Sequence, residues 1–384
     1  MRIQIRNARL YTEDCKFHKG NLMIEGERIG HISTCEEDAD EIMDAEGCYV
    51  IPGLIDLHFH GCAGVDFSDG TVESIEKIIQ YERENGITTI CPATMTLPEE
   101  QLKRIAKSVR EYKEKHPASL GLAGFNLEGP FINPLKNGVQ STDSCMLPDV
   151  ELFEQLQDIS NHAIKLVTVA PELEGAEAFI RKASESTVVS VGHSLADYQT
   201  ASESFALGAS HVTHLYNGMR EWKHREPGIV GASADCSKVF VELICDGNHL
   251  HPSVIRNTWK QYGKERIVMI SDSTMAAGLS DGEYTLGGSK VICKEKRVTT
   301  NEGVLAGSAS NLMECMQYVV RNVNLPLEEV VKCATINPAK VLKIDKNYGS
   351  LNCGKYANIL ILDEGCELRS IIYLGKYLFP PIIL

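Results

Sequence analysis

The sequence has no block of basic residues and no long uninterrupted hydrophobic run. Its formal net charge is -14, with 38 Lys and Arg against 52 Asp and Glu, whereas proteins bind nucleic acid mainly through basic residues that contact its phosphates. No apolar run reaches the ~18 residues that a membrane-spanning helix needs. The first residues, MRIQIRNARL, lack the apolar core of a secretion signal. We therefore expect neither nucleic acid nor a membrane as a partner, and a cytoplasmic location.

A cysteine pattern that would indicate disulfides or a metal-thiolate site is also absent. The 13 cysteines are odd in number, and no two are spaced C-x-x-C. A chain of 384 residues can bury a sizeable core without disulfide staples. Most cysteines, including Cys91, Cys245 and Cys315, are therefore expected to be small apolar core residues in a reducing compartment.

Both ends of the chain have the residue pattern of β-strands. Apolar residues alternate with polar ones in RIQIRNARLY, NLMIEGERIGHIS and CYVIPG, and the pattern returns near the other terminus in NILILD and RSIIYLGKYL. We expect residues 1–52 and 347–384 to pair into one small antiparallel β domain, a β-sandwich.

Residues 53–346 alternate short apolar runs with amphipathic segments of helical period, such as VESIEKIIQYEREN. This alternation is typical of βαβ units. Eight strands and their helices favour an α/β fold with a closed (β/α)8 TIM barrel, because an open doubly wound sheet, the alternative, rarely needs that number. The eight runs are CYVIPGLIDLH, GITTICPAT, LGLAGFNLEGP, AIKLVTVAPE, TVVSVGH, ASHVTH, VFVELICDG and RIVMISD.

Imidazole and carboxylate side chains recur at the carboxyl ends of these predicted strands. His58 and His60 are two residues apart, so a strand places both on one face. The carboxyl ends of barrel strands meet at the catalytic face, and these ligand types suit zinc or ferrous iron. The pattern predicts a divalent-metal site, although a single histidine such as His211 is more typical of a hydrogen-bonded core residue. The other strand-end residues are Glu128, His193, His214 and Asp272.

Asp272, at the end of the last run, is the candidate acid and base. A bound divalent ion lowers the pKa of its water toward ~7, and a nearby carboxylate can take the proton and later deliver it to a leaving amine. The alternative is that Asp272 serves only as a further metal ligand.

Two polar segments after strand ends, THLYNGMREWKHREPG and CDGNHLHP, are candidate substrate contacts. The guanidinium of Arg225 matches a phosphate, which predicts an anionic ligand; the alternative is an ion pair with Glu221 or Glu226. The glycine-containing segment SDGEYTLGG is consistent with either a mobile flap or a plain hairpin. The candidate contacts are Asn217, His224, Arg225, His249 and His251.

Several of these segments together resemble the N-acetylglucosamine-6-phosphate deacetylases of the amidohydrolase superfamily. The resemblance runs nearly end to end and includes INPAKVLKI before GSLNCGKYANILILD, where barrels of this superfamily usually return to the small sheet. PGLIDLHFH alone indicates only an amidohydrolase, but LEGP, HREPG and AAGLSDGEYTLGG together are far more specific. The other matching segments are NLEGPFINPLKNGVQ, VSVGHS, THLYNGM, DGNHLHP and GVLAGSA.

The resemblance implies a role for each candidate residue. Glu128, His193 and His214 would hold the main metal, and Asp272 would be the general base and acid. Some members lack the two first-strand histidines and use one metal. This chain has both, so His58 and His60 permit a second ion, with Glu128 as a possible bridge between the two ions. The cofactor is thus expected to be one or two divalent ions, zinc or iron.

The resemblance also implies the substrate contacts and the assembly. His249 and Arg225 would reach the sugar phosphate, with Arg225 acting across the interface of a homodimer. Asn217 and Gly218 would help to hold the ligand, and Gln140 would lie near the acetamide carbonyl. Some members place a histidine where Gln140 stands; a glutamine can donate to the carbonyl oxygen but cannot carry a positive charge.

The implied reaction is hydrolysis of N-acetylglucosamine 6-phosphate to glucosamine 6-phosphate and acetate, in amino-sugar catabolism or cell-wall sugar recycling. The nearest alternative substrate is the galactosamine epimer, N-acetylgalactosamine 6-phosphate. The next alternative is a different cyclic amide or a deaminase substrate. A different class of protein, a catalytically idle barrel that binds amino-sugar phosphate, is the remaining alternative.

Overall fold

The computed structural model describes residues 1–117 and 121–379. Leu120, the first residue of the third apolar run, and residues 380–384 of the predicted small domain lie outside the described residues. The strands are β1 (Arg2–Tyr11), β2 (Phe17–Glu25), β3 (Arg28–Ser33), β4 (Glu41–Asp44), β5 (Tyr49–Pro52), β6 (Leu54–Asp56), β7 (Gly61–Cys62), β8 (Val65–Asp66), β9 (Ile87–Ile90), β10 (Phe125–Leu127), β11 (Ile164–Val169), β12 (Val188–Val191), β13 (His211–Val212), β14 (Phe240–Ile244), β15 (Ile267–Ile270), β16 (Gly282–Leu286), β17 (Ser289–Lys294), β18 (Arg297–Thr299), β19 (Leu305–Ser308), β20 (Ile359–Leu362), β21 (Leu368–Tyr373) and β22 (Lys376–Phe379).

Helices alternate with many of these strands, and their buried residues recur at helical spacing. In α1, for example, Ile75, Ile78 and Ile79 are buried on one face, as the 3.6-residue period requires. The helices are α1 (Val72–Glu84), α2 (Glu99–Lys115), α3 (Val150–Ile159), α4 (Ala176–Ala183), α5 (Tyr198–Leu207), α6 (Gly228–Asp235), α7 (Pro252–Tyr262), α8 (Leu312–Tyr318), α9 (Leu327–Ala334) and α10 (Ile336–Val341).

Strands from both ends of the chain form one sheet, in the order β22-β21-β20-β5-β1-β2-β3, with β4 also paired to β1. The register joins Ile361 of β20 to Val50 of β5, so strands from the two ends of the chain pair directly. The prediction of a purely antiparallel sheet is wrong, because β4 and β5 run parallel to β1. The chain crosses over after β3 and adds its next strands to the other edge of β1.

All eight apolar runs contribute a parallel strand. β10 to β15 form a six-stranded parallel sheet, and β6 pairs with β9. The first run divides at Gly53, where β5 ends in the terminal sheet and β6 begins; a Cβ there would lie 2.2 Å from Thr88 Oγ1, so only glycine fits. An isolated parallel bridge joins Ile90 to Leu122.

The parallel strands curl so that the ends of β6, the first, and β15, the last, approach each other. Beyond the strand ends, the backbone N–H of Asp272 donates to the carbonyl of His58 at 3.1 Å. Side chains from opposite strands meet in one apolar cluster that includes Ile55, Leu166 and Ile270. Each such buried aliphatic side chain stabilises the fold by about 1.5–3 kcal/mol.

The glycine-rich segment after β15 is a hairpin. β16 and β17 pair antiparallel through Leu286 and Ser289, and β18 and β19 extend them to a four-stranded sheet. Of the two interpretations of SDGEYTLGG, the hairpin is therefore the one observed. Within residues 1–117 and 121–379, no helix is both long and apolar enough to cross a membrane.

Candidate metal centre and substrate pocket

A cavity of about 230 Å³ opens at the carboxyl ends of the parallel strands. Its walls come from the residues that follow seven of these strands and from the segment that contains the β16 hairpin. Most of the residues singled out in the sequence lie on these walls. The lining includes His60, Glu128, Gln140, His193, His214, Asn217, Gly218, His249, Asp272, Leu286 and Val304.

Glu128 lies at the centre of the imidazole groups. Its Oε1 is 3.0 Å from His193 Nε2 and 2.9 Å from His214 Nε2, and its Oε2 is 3.3 Å from His60 Nε2. Burial raises the pKa of the Glu128 carboxyl, but the charge of His58 and the hydrogen bonds from His193 and His214 outweigh this and hold the pKa well below its usual value. Glu128 is therefore an ionised, buried carboxylate.

His58 and His60 present their Nε2 atoms to the same carboxylates, although both lie beyond the end of β6 and not on a strand as the spacing predicted. Their distances to Asp272 Oδ1 are 3.9 Å and 3.3 Å. Burial raises the pKa of Asp272, but the hydrogen bond from His60 and the nearby imidazole charges bring it below the ordinary value. We refer to His58, His60, Glu128, His193, His214 and Asp272 as the ligand cluster.

The ligand cluster fits a divalent cation. His58 Nε2 is buried and forms no hydrogen bond of good geometry with any of the described residues, which is costly for a polar atom unless a ligand satisfies it. The potential ligand atoms of two overlapping sets lie within 4.8 Å of one another. These sets, whose nitrogen and oxygen donors suit zinc or iron, are His58, His60 and Asp272, and His58, Glu128 and His214.

Backbone geometry places three of these side chains under strain. His193, His214 and Asp272 have φ angles of 47°, 24° and 49°, in the left-handed region that only a few per cent of non-glycine residues adopt. Gly218, with φ of 59°, packs so closely on the cluster that a Cβ would lie 3.0 Å from His193 Nδ1. The cluster therefore requires glycine at this position.

Gln140 lies at the cluster and is held at both ends of its amide. Its Nε2 donates to Glu128 Oε2 at 2.8 Å, and its Oε1 accepts the backbone N–H of Thr96 at 2.6 Å. The N–H of Thr96 fixes which end of the amide faces the pocket, a contact that the sequence did not reveal. A donor on the pocket wall is available to a ligand, and its contact with an acetamide stays a prediction.

The remaining predicted contacts divide between the pocket and its surroundings. Asn217, Gly218 and His249 line the cavity, and His249 Nδ1 is 2.9 Å from Asp246 Oδ2. His251 instead caps α7, where its side chain accepts the N–H of Ser253.

Arg225 and His224 are exposed and lie outside the cavity lining. They stand in a turn closed by a bridge between Lys223 and Glu226. The side chain of Arg225 forms no hydrogen bond or ion pair with any residue that the structure describes, so an ion pair with Glu221 or Glu226 is not seen. We call residues 221–226 the exposed turn.

Sequence reasoning missed one buried carboxylate, Glu242 on β14. Glu242 Oε2 is 2.8 Å from His58 Nδ1, and its Oε1 is 3.0 Å from His211 Nε2. Burial raises the pKa of Glu242, but the charge of His58 and these hydrogen bonds outweigh it and lower the pKa. A glutamate inside the apolar run VFVELICDG was the available signal, because a buried charge requires partners.

Comparisons with known proteins agree with this arrangement. The chain is 32% identical to N-acetylglucosamine-6-phosphate deacetylase of Bacillus subtilis (strain 168) over 98% of this chain and 96% of that protein. It is also 32% identical to N-acetylgalactosamine-6-phosphate deacetylase of Escherichia coli O157:H7, over 97% and 98%.

A solved structure is similarly close in fold. It is a mutant N-acetyl-D-glucosamine-6-phosphate deacetylase from Mycobacterium smegmatis in complex with N-acetyl-D-glucosamine-6-phosphate, with a TM-score of 0.91, 28% identity and 99% of both chains covered. The model of the amidohydrolase family matches residues 49–378. The chain therefore belongs to the amidohydrolase family.

Proposed function

We propose that this protein is a hydrolase that removes acetate from N-acetyl-D-glucosamine 6-phosphate and releases D-glucosamine 6-phosphate, in amino-sugar catabolism or cell-wall sugar recycling. The observation that carries the proposal is the convergence of the ligand cluster on one pocket, in a chain similar over its whole length to deacetylases of this substrate.

The cofactor of this proposal is one or two divalent ions, zinc or iron, per subunit. Glu128, His193 and His214 would hold the first ion, and His58 and His60 the second, with Glu128 shared between them. A divalent ion bound by such ligands supplies Lewis acidity, which activates water at neutral pH and stabilises negative charge on a carbonyl oxygen. The orphaned Nε2 of His58 and the ionised Glu128 support this assignment.

Asp272 is the proposed proton carrier. Its buried carboxylate is held in the ionised form and lines the pocket, so it can accept a proton from the attacking water. As oxygen joins the carbonyl carbon and the C–N bond breaks, the same group returns the proton to the departing nitrogen. The products are acetate and the free amine, and a role for Asp272 as ligand alone is the alternative.

The substrate would be held by contacts on two sides. We propose that Gln140 Nε2 donates to the acetamide oxygen, and that Asn217, Gly218 and His249 contact the sugar phosphate moiety. Arg225 is exposed and forms no hydrogen bond or ion pair within residues 1–117 and 121–379, and we propose that it reaches the phosphate across the interface of a homodimer.

The same proposal covers the organisation of the chain. Residues 53–346 would form a closed (β/α)8 barrel, and residues 1–52 with 347–384 a small β-sandwich, in a cytoplasmic enzyme. The bridge between Ile90 and Leu122 and the bond from Asp272 N to His58 O support closure on either side of β6 and β9.

The galactosamine epimer is the second candidate substrate, favoured by the similarity to the Escherichia coli enzyme named for it. The deciding experiment measures acetate release by metal-replete protein from N-acetylglucosamine 6-phosphate, its galactosamine epimer and unphosphorylated N-acetylglucosamine. Release from the phosphorylated gluco compound alone is expected. Faster acetate release from the epimer would change the proposed substrate but keep the proposed chemistry. Tight binding without acetate release from any of the three compounds would indicate a catalytically idle protein that binds sugar phosphate.

A further inference from the structure

Glu242 connects three strands through one buried carboxylate. It lies on β14, and its side chain is fully buried. Oε1 is 3.0 Å from His211 Nε2 on β13, whereas Oε2 is 2.8 Å from His58 Nδ1 and accepts the backbone N–H of His214 at 2.9 Å. No lysine or arginine of the described residues pairs with it, so its charge is balanced through imidazoles.

The chemistry of this carboxylate fixes where the proton of His58 resides. Glu242 Oε2 already accepts the backbone N–H of His214, and His58 Nδ1 is the second group at this acceptor oxygen, so we assign the donated proton to His58 Nδ1. A histidine that binds a metal is neutral and carries one N–H, so in the metal-bound protein the lone pair of His58 would lie on Nε2. That atom faces Glu128 Oε1 at 3.3 Å and Asp272 Oδ1 at 3.9 Å. A lone pair directed at carboxylate oxygens is repulsive unless a cation lies among them.

His58 differs from the other three imidazoles in its orienting acceptor. His60, His193 and His214 each have Nδ1 near a backbone carbonyl, at 3.3 Å, 2.7 Å and 3.2 Å. Only His58 has a charged acceptor at Nδ1, and a carboxylate behind an imidazole makes the other nitrogen a stronger metal ligand.

We propose that Glu242 is a positioning residue that holds His58 in the Nδ1–H tautomer and thereby forms the second metal position of this enzyme. His211 secures the other oxygen of Glu242, which gives a function to a histidine otherwise interpreted as a core residue. This inference rests on the metal site of the proposed function and explains why the chain buries a glutamate beside its first-strand histidines.

The test is the metal content of purified protein after reconstitution with zinc and removal of excess ion. The wild type is expected to retain two ions per chain. In Glu242→Gln, which keeps the shape of the side chain but loses its charge, the first ion should remain and the affinity for the second should fall roughly tenfold to a hundredfold. Glu242→Asp, which keeps the charge, should recover part of that affinity.

Glu172→Gln is the matched control. Glu172 also accepts several hydrogen bonds near this end of the barrel, from Asn133, Ser194 and Leu195, but contacts no imidazole of the cluster. This variant should retain both ions at wild-type affinity, and if it loses the second ion to the same extent as Glu242→Gln, the proposal is wrong.

A second readout is the nitrogen NMR spectrum of the zinc-loaded protein, with His58 assigned by its loss in His58→Gln. The His58 ring should carry its proton on Nδ1 and bind through Nε2. A proton on Nε2, a wild-type content of one ion, or an unchanged second site in Glu242→Gln would each overturn the inference. None of these outcomes depends on acetate release, so failure of the proposed substrate is distinguished from failure of this proposal.

Discussion

The inner wall of the pocket and the exposed turn beside it illustrate two ways of placing a functional group. On the inner wall, Glu128, His193 and Asp272 are at most 7% exposed, and each makes contacts with groups from other strands. In the exposed turn, Arg225 forms no hydrogen bond or ion pair with any described residue, and Trp222 is 54% exposed. The inner wall therefore holds its functional side chains through contacts between strands, whereas the exposed turn leaves its side chains open to solvent.

Removal of the metal should have the largest effect on the inner wall. Extensive treatment with a chelator is expected to abolish acetate release, because charge on the amide oxygen loses its stabilisation. The free energy of unfolding should also fall, by about 4 kcal/mol relative to protein with free ion at 1,000 times its Kd. Both the unfolding free energy, measured by calorimetry, and the rate of acetate release should recover when zinc is added. Full activity in protein verified to be metal-free would contradict the assignment of the ligand cluster.

Asp272→Asn should come next in size. The amide cannot take a proton, so kcat is expected to fall by about 10²–10⁴-fold, while metal content and thermal unfolding stay near wild-type values. Steady-state kinetics and elemental analysis of the same sample give both results. If kcat falls only because the ion is lost, Asp272 is a ligand and not the proton carrier.

Arg225→Ala should give a smaller effect of a different kind. Loss of a charge-assisted contact to phosphate, worth about 1.5–3 kcal/mol, should raise KM for the phosphorylated sugar about tenfold to a hundredfold and leave kcat within a few-fold. Kinetics with Lys223→Ala, which removes another cation of the exposed turn, provides the control and should show little change. An unchanged KM in Arg225→Ala would remove the phosphate role from the exposed turn.

Val304→Ala should have the smallest effect, although Val304 lines the cavity. Its side chain is 50% exposed and belongs neither to the ligand cluster nor to a charged contact. Stability should change by about 0.5 kcal/mol or less, as for other surface substitutions, and kcat/KM should stay within twofold. A large loss of kcat/KM would show that proximity to the pocket, and not burial with fixed partners, decides which positions matter.

Much of the parallel sheet and the ligand cluster could be predicted because their signals are local. A short apolar run followed by His193 or Asp272 is visible in the sequence itself, and the rule that strand carboxyl ends gather on one face then brings such residues together. The terminal sheet was less predictable. Alternation identified its strands, but the parallel pairing of β4 and β5 with β1 depends on a crossover that no local pattern encodes.

The residue types at the strand ends and the positions of the apolar segments can be read from the chain alone, because both depend on neighbouring residues. The contact of Glu242 with both His58 and His211 appears only in the folded protein, since it requires the order and curl of three strands distant in sequence. The tertiary structure also decided that Arg225 lies outside the pocket of its own chain. Such placements follow from packing between elements, and side-chain chemistry alone does not specify them.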